Sequence, residues 1–307
     1  MEVRQLHTFC VLAEELNFTR TAERVHTVQS NVTSQIKSLE AELGTQLCDR
    51  LAKRVLLTEA GHRFVPYAEK ALAAMEQGHR AVKFGSEPAG PLRIGAPESV
   101  LTYRLPEVLK LFRKRYPQVE LIFRPGLDDK LTYALETGKL DLAISMSDAI
   151  EEDPLRSIKL RTEEVYLFGT PDHPLSNARK VYAKDLANQT LLLTEAGCGY
   201  RKKLDTQLAL ANVRPQHITE FSSVEAIKQC VAAGMGFGLL PRIVIACELQ
   251  KRQFTILNWQ GEKMTIATHI VWHKDKWMSP GMQGFLDVMK DRLQHKSPLT
   301  LVQDGAI

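Results

Sequence analysis

The segment from Gln29 to Lys37 carries seven polar side chains, Gln29, Ser30, Asn31, Thr33, Ser34, Gln35 and Lys37, with no acidic residue until Glu40. Amides, hydroxyls and an ammonium, with no carboxylate among them, are the groups that bond phosphate oxygens and base edges. Plain solvation of a helix face also produces such a pattern. Its meaning therefore depends on the surrounding elements. Shortly after it, Asp49-Arg50-Leu51-Ala52-Lys53-Arg54-Val55 places three cations in a short turn between β-favouring residues.

A second cluster, Gly197-Cys198-Gly199-Tyr200-Arg201, combines mobile backbone, a thiol, a phenol and a guanidinium. Arg201 could grip a ligand carboxylate bidentately, and Tyr200 could cover an organic ring or donate a hydrogen bond. An ordinary ion pair would account for Arg201 equally well. A thiol at a helix start beside an arginine gains thiolate character, so Cys198 is a candidate redox sensor as well as a candidate buried cysteine. The third cluster is Glu98-Ser99-Val100, where the Ser99 hydroxyl and neighbouring amides could hold a carboxylate, unless Ser99 is simply a helix cap.

Other chemistries are excluded by spacing. The nine histidines show no ligand spacing such as HxxxH on one helix face, and the five scattered cysteines contain no CxxC, so no metal site or disulfide framework is expected. No G-x-S-x-G, Walker or GxGxxG string is present, and neither catalysis nor a cofactor is expected. The longest uncharged apolar stretch, Val231 to Pro241, is about half the roughly 20 residues of a membrane span. No signal-peptide pattern is visible, and a cytoplasmic location is expected. Net charge is zero over residues 1–90, so the overall +4 lies in the remainder and any nucleic-acid contact must rest on local clusters.

The elements that would position these groups can be read from periodicity. Leu6, Phe9, Cys10, Ala13 and Leu16 mark an amphipathic helix. Thr19 is a candidate cap for a short helix over 20–25. Val32, Ile36, Leu39 and Leu43 mark a third helix over 29–43, stopped by Gly44. Three short helices with a tight turn before the last form a helix-turn-helix candidate, and the basic turn that follows fits a two-stranded wing. A longer helix over 59–84 carries Phe64, Ala68, Ala71, Met75, Gly78 and Val82 at heptad spacing, which favours pairing of two chains. Gly85 to Pro91 is dense in helix and strand breakers and sets a boundary. Strands are then expected at 91–96, 119–124, 141–146, 165–170, 190–193 and 265–272. Helices are expected at 99–116, 130–137, 200–211, 223–233 and 280–294. The alternation implies a parallel sheet in two α/β subdomains.

The string from Gln29 to Gly44, with Leu47, Arg50 and Thr58-Glu59-Ala60-Gly61, resembles the winged helix-turn-helix of LysR-type transcriptional regulators. The resemblance continues through Leu92-Arg93-Ile94-Gly95, Gly138 to Ile144, His173-Pro174-Leu175 and Ala233 to Pro241. Two positions depart from the family pattern. Val28 stands where Ser or Thr is usual, with Thr27 an alternative cap, and Cys48 stands where phenylalanine is usual.

The resemblance implies an α/β protein with an N-terminal winged helix-turn-helix (residues 1–58) and a linker and dimerisation helix with hinge (59–90). The effector domain (91–307) would be like type 2 periplasmic binding proteins, with subdomain I over about 91–162 and 266–295 and subdomain II over about 163–265. Gln29 is then the best base reader, with Ser30, Asn31, Thr33 and Ser34 beside it. Lys37, Arg50, Lys53 and Arg54 would neutralise phosphates. A small-molecule effector, expected to be a small organic anion, would sit between the subdomains near Ser99, Val100, Cys198, Gly199, Tyr200 and Arg201. Gly126 and Ser147 are placed on the rim by resemblance.

The implied partners are double-stranded promoter DNA, the effector, further copies of the chain in a dimer or tetramer, and RNA polymerase if the protein activates. Peroxide-sensing members carry a cysteine near position 198 and a partner about nine residues later, where this chain has Gln207. A solute-binding protein or an enzyme on the same α/β architecture is the alternative of a different class.

Overall fold

The computed structural model describes residues 1–51, 54–150 and 153–294, without the side chains of Arg50, Leu51 and Arg54. The chain divides into two compact units, one of Met1–Gly85 with Ala134–Leu140, the other of Ser86–Tyr133 with the residues from Asp141 onward.

The first unit opens with α1 (Val3–Glu15), α2 (Phe18–Arg24) and α3 (Gln29–Leu43), then β1 (Cys48–Leu51), β2 (Arg54–Leu57) and α4 (Glu59–Phe84). The cap of α2 is Asn17 rather than Thr19. The Asn17 Oδ1 accepts from the backbone N–H of Thr19 and Arg20 at 2.9 and 3.1 Å, so the helix starts two residues earlier than expected. Leu6, Phe9, Leu12, Ala22, Val32, Ile36, Leu39, Leu47, Cys48 and Ala68 form one buried cluster. Cys48 therefore serves as a small apolar residue. Gly44 ends α3 with φ of +68°, where glycine avoids the left-handed penalty.

The wing is an antiparallel pair in which Cys48 faces Leu57 and Leu51 faces Arg54. Glu40 anchors it, its Oε1 accepting from the N–H of Leu47 at 2.9 Å and of Cys48 at 3.2 Å. In α4 the heptad seam divides. Phe64, Ala68 and Ala71 pack on the helical core, while Met75 and Val82 are 50% and 89% exposed.

The remaining elements are β3 (Gly90–Ala96), α5 (Glu98–Tyr103), α6 (Leu105–Arg115), β4 (Val119–Pro125), α7 (Asp128–Glu136), β5 (Leu142–Met146) and β6 (Leu155–Gly169). They continue with β7 (Thr190–Thr194), α8 (Gly199–Leu210), β8 (His217–Phe221), α9 (Val224–Ala232), β9 (Phe237–Pro241), α10 (Arg242–Gln250), β10 (Thr255–Ile256), β11 (Thr265–His273) and α11 (Pro280–Leu293). The strand order is β4-β3-β5-β11-β6-β9-β7-β8, with β10 on β6.

The expected parallel sheet is thus mixed. β3 runs parallel to β4 and β5, and β7 to β8 and β9, but β11 is antiparallel to β5 and β6, and β6 to β9. The long β6 joins two halves. Leu155 to Glu164 pair with β11, and Val165 to Phe168 pair with β9.

The single helix expected over 99–116 is two, α5 and α6, meeting at Arg104. Pro106, with no N–H to donate, fits the first turn of a new helix rather than the middle of an old one. The break directs Arg104 onto Glu163 beside the crossover in β6, with Nε–Oε1 of 2.8 Å and Nη2–Oε2 of 2.6 Å. The Arg161 Nε also lies 2.8 Å from the same carboxylate, whose side chain is only 6% exposed. Removing one member of a buried, doubly contacted ion group leaves charge uncompensated. Glu163→Ala is therefore expected to lower unfolding free energy by about 3 kcal/mol, measured by urea denaturation.

Candidate nucleic-acid interface and effector cleft

The side chains of α3 sort by the helical period. Val32, Ile36 and Leu39 are fully buried, whereas Gln29, Ser30, Asn31, Ser34 and Lys37 are exposed and Thr33 is half-buried. Two further polar residues tie α3 to α1. Thr8 Oγ1 donates to Gln35 Oε1 at 2.6 Å, and Gln5 Nε2 donates to Ser38 Oγ at 3.1 Å. Asn31 is partly occupied as well, its Nδ2 donating to Thr27 Oγ1 at 2.8 Å. Thr27 therefore does not cap α3. The cap position is Val28, which offers no side-chain bond to the first-turn N–H groups, so no capping side chain stands in the way of an approaching phosphate.

Gln29 accepts from Thr19 Oγ1 at 3.4 Å, a long contact that orients it without consuming its amide nitrogen. Arg50 and Arg54 lie on β1 and β2, and Lys53 lies outside the described residues.

In the second unit a cleft of about 470 Å³, counting its open mouth, lies at the carboxyl ends of β3, β5 and β7. Ligands in α/β sheets bind at such strand ends. Ser99, Cys198, Gly199 and Tyr200 line it. At Gly199 a Cβ would stand 2.4 Å from the Met146 carbonyl oxygen, so only glycine lets α8 begin this close to β5.

Four expected cleft residues are elsewhere. Val100 is 2% exposed within the apolar core, because its place on α5 turns it inward. Gly126 is absent from the wall, whose nearby members are Leu127 and Asp128. Ser147 lines a neighbouring groove and donates to the Ala149 carbonyl at 2.9 Å. Arg201 is 6% exposed, its Nη1 donating to the Thr194 carbonyl at 2.5 Å and pairing with Glu220 at 2.9 Å. The guanidinium expected to clamp an anion is already engaged by the protein through Nη1.

The wall holds three carboxylates, Glu98 from a cluster the sequence marked and Asp128 and Glu195, which residue spacing did not single out, and among the described residues no Lys, Arg or His. The anionic effector expected from sequence therefore lacks a cationic partner there. Glu98 crosses the cleft, its Oε1 accepting from Ser223 Oγ at 3.0 Å and its Oε2 from the Val224 N–H at 2.7 Å. Tyr103, also on α5, accepts from Lys228 Nζ at 3.0 Å and donates to Glu225 Oε2 at 3.3 Å. Burial raises the Asp128 carboxyl above its ordinary range, and burial pushes the Tyr200 phenol well up. Burial likewise raises the Cys198 thiol, against smaller opposing effects of the neighbouring Thr194 side chain and the Arg201 and Tyr200 amides. At 6% exposure this is the reverse of the lowered pKa and access that a sensing cysteine needs.

Residues 3–62 match the family model of the bacterial regulatory helix-turn-helix protein, lysR family, and residues 85–294 match that of the LysR substrate binding domain. The chain belongs to the LysR family of transcriptional regulators. Over 94% of its length this LysR regulator is 43% identical to the uncharacterized HTH-type transcriptional regulator YwqM of Bacillus subtilis, covering 99% of that protein. Over 97% it is 33% identical to GltR of the same organism, again covering 99% of that chain. A full-length OxyR variant from Pseudomonas aeruginosa superposes with a TM-score of 0.67 at 26% identity, over 96% of this chain and 95% of that one. CbnR superposes with a TM-score of 0.69 at 22% identity, over 96% and 100%.

The LysR regulator is accordingly a DNA-binding transcription factor with a substrate-binding domain, and not an enzyme. Among the described residues no helix is long and apolar enough to cross a membrane.

Iodoacetamide at neutral pH is expected to label the exposed Cys247 and spare Cys198 in the folded regulator. Cys198 becomes reactive only on unfolding, as read by mass spectrometry of the tryptic peptides.

Proposed function

We propose that this LysR regulator reads promoter DNA with α3 in the major groove, Gln29 facing a base edge and Ser30, Asn31, Thr33 and Ser34 bonding nearby phosphates or bases. Lys37, Arg50, Lys53 and Arg54 neutralise phosphates and fix register without carrying sequence information. The observation that carries this reading is the exposed face of α3 over Gln29 to Lys37, which holds no acidic residue and is turned outward by fully buried Val32, Ile36 and Leu39.

A small-molecule effector binds in the cleft between the two halves of the regulatory domain. It acts through unequal affinity for two arrangements of the protein, a coupling of about 1 to 3 kcal/mol in typical cases. Two chains pair through α4, whose exposed Met75 and Val82 continue the heptad seam beyond Ala71, and dimers associate further into a tetramer. Domain limits of 1–58, 59–90 and 91–307 describe the division of labour, and RNA polymerase is the further partner where transcription is activated.

Fluorescence anisotropy with DNA from upstream of the protein's own gene, against scrambled DNA, tests the assignment. Gln29→Ala is expected to reduce the ratio of specific to random affinity by about 1 to 3 kcal/mol. Lys37→Ala is expected to weaken both and to reduce the salt slope by about 1. Identical behaviour of the two variants contradicts the division of roles.

A further inference from the structure

Resting on the reading of the cleft as the effector site, we infer that its effector carries a protonated amine, held by the carboxylates of Asp128 and Glu195. It is thus an amine or an amino acid rather than a purely anionic metabolite. The argument begins with charge. Among the described residues three carboxylates and no basic side chain line the cleft, and the three differ in how far the protein already satisfies them. Glu98 is fully engaged by Ser223 and the Val224 amide. Asp128, at the start of α7, has a buried Oδ1 with no hydrogen-bond partner, and Glu195 is exposed at the mouth with no ion pair among the described residues. Thr194, 92% buried and part of the same wall, leaves its hydroxyl oxygen without a partner. Unsatisfied buried acceptors of this kind carry a desolvation cost that a ligand donor removes.

The positive ends that could hold an anion are spent. Glu98 and Ser223 occupy the amino end of α9, and the Cys198 sulfur lies against the Tyr200 and Arg201 amides at the amino end of α8. Arg201 turns away onto Thr194 and Glu220. Lys202 and Lys203 line an adjacent groove that Asp128 also borders, not this wall, and Lys203 pairs with Asp148. An ammonium has donors for Asp128, Glu195 and the Thr194 oxygen, whereas a dicarboxylate would meet like charge without compensation.

Isothermal titration of the full-length protein tests this with common amino acids and short diamines, alongside dicarboxylates and diols matched in chain length. At least one amine is expected to bind and its dicarboxylate counterpart is not. Asp128→Asn and Glu195→Gln should each weaken that amine by about tenfold or more. Glu195 lies on an exposed turn, so its substitution leaves folding intact should Asp128→Asn perturb α7. Gly197→Phe, at a wall position with room for a Cβ, fills the cleft and should abolish binding. A dicarboxylate or diol that binds in its place and is lost in Gly197→Phe overturns the amine inference while keeping the cleft as the effector site. Amine binding indifferent to all three substitutions overturns the cleft reading itself. Binding by none of the amines overturns the inference.

Discussion

A helix that enters a DNA groove must hide one stripe and offer the other, and in α3 the hidden stripe is Val32, Ile36 and Leu39, each fully buried. Burying side chains of this size stabilises by about 1.5 to 3 kcal/mol apiece, which sets the rotation of α3 about its axis. That rotation decides which polar groups are presented. Gln35 and Ser38 meet α1, while Gln29, Ser30, Ser34 and Lys37 meet solvent. The wing depends on the same helix, since Glu40 on α3 accepts the first two amides leading into β1. One packing stripe therefore positions both DNA-facing features.

The regulatory half works by a different constraint. Its two sets of parallel strands are joined through the antiparallel β6 and β11, so strand ends from both sets converge on one cleft. The elements flanking that cleft are linked across it by hydrogen bonds of Glu98 and Tyr103. Contacts of this kind can break and reform as a ligand enters, which gives two arrangements that a ligand can bias.

The helical front was largely legible because its apolar period, glycine stop and polar face are local signals, and α3 occupies residues 29–43 as the spacing predicted. Thr19 was misjudged as a cap because Asn17, two residues earlier, offers an equally good side chain. The regulatory half was less legible. The long β6 was read only in its second part, since its first part alternates charged and apolar residues against β11, a partner about a hundred positions away. The strands β8 and β9 and the helix α10 were missed or merged with turns for the same reason.

The cleft was half visible. Glycine-rich Gly197 to Arg201 marked the place, but the direction in which Arg201 points depends on Glu220 from β8, and the carboxylates come from three separated turns. Side-chain direction across long sequence distances is what local spacing cannot supply.

The central claim is that α3 is a sequence-reading head, and selection of fragments from the source genome by the purified full-length protein at near-physiological salt tests it most directly. The account predicts enrichment of a small set of fragments sharing a pair of related half-sites, spaced by about one helical turn or a multiple of it. Recovery of fragments with no shared sequence, or of none above a salt-sensitive background, would contradict it.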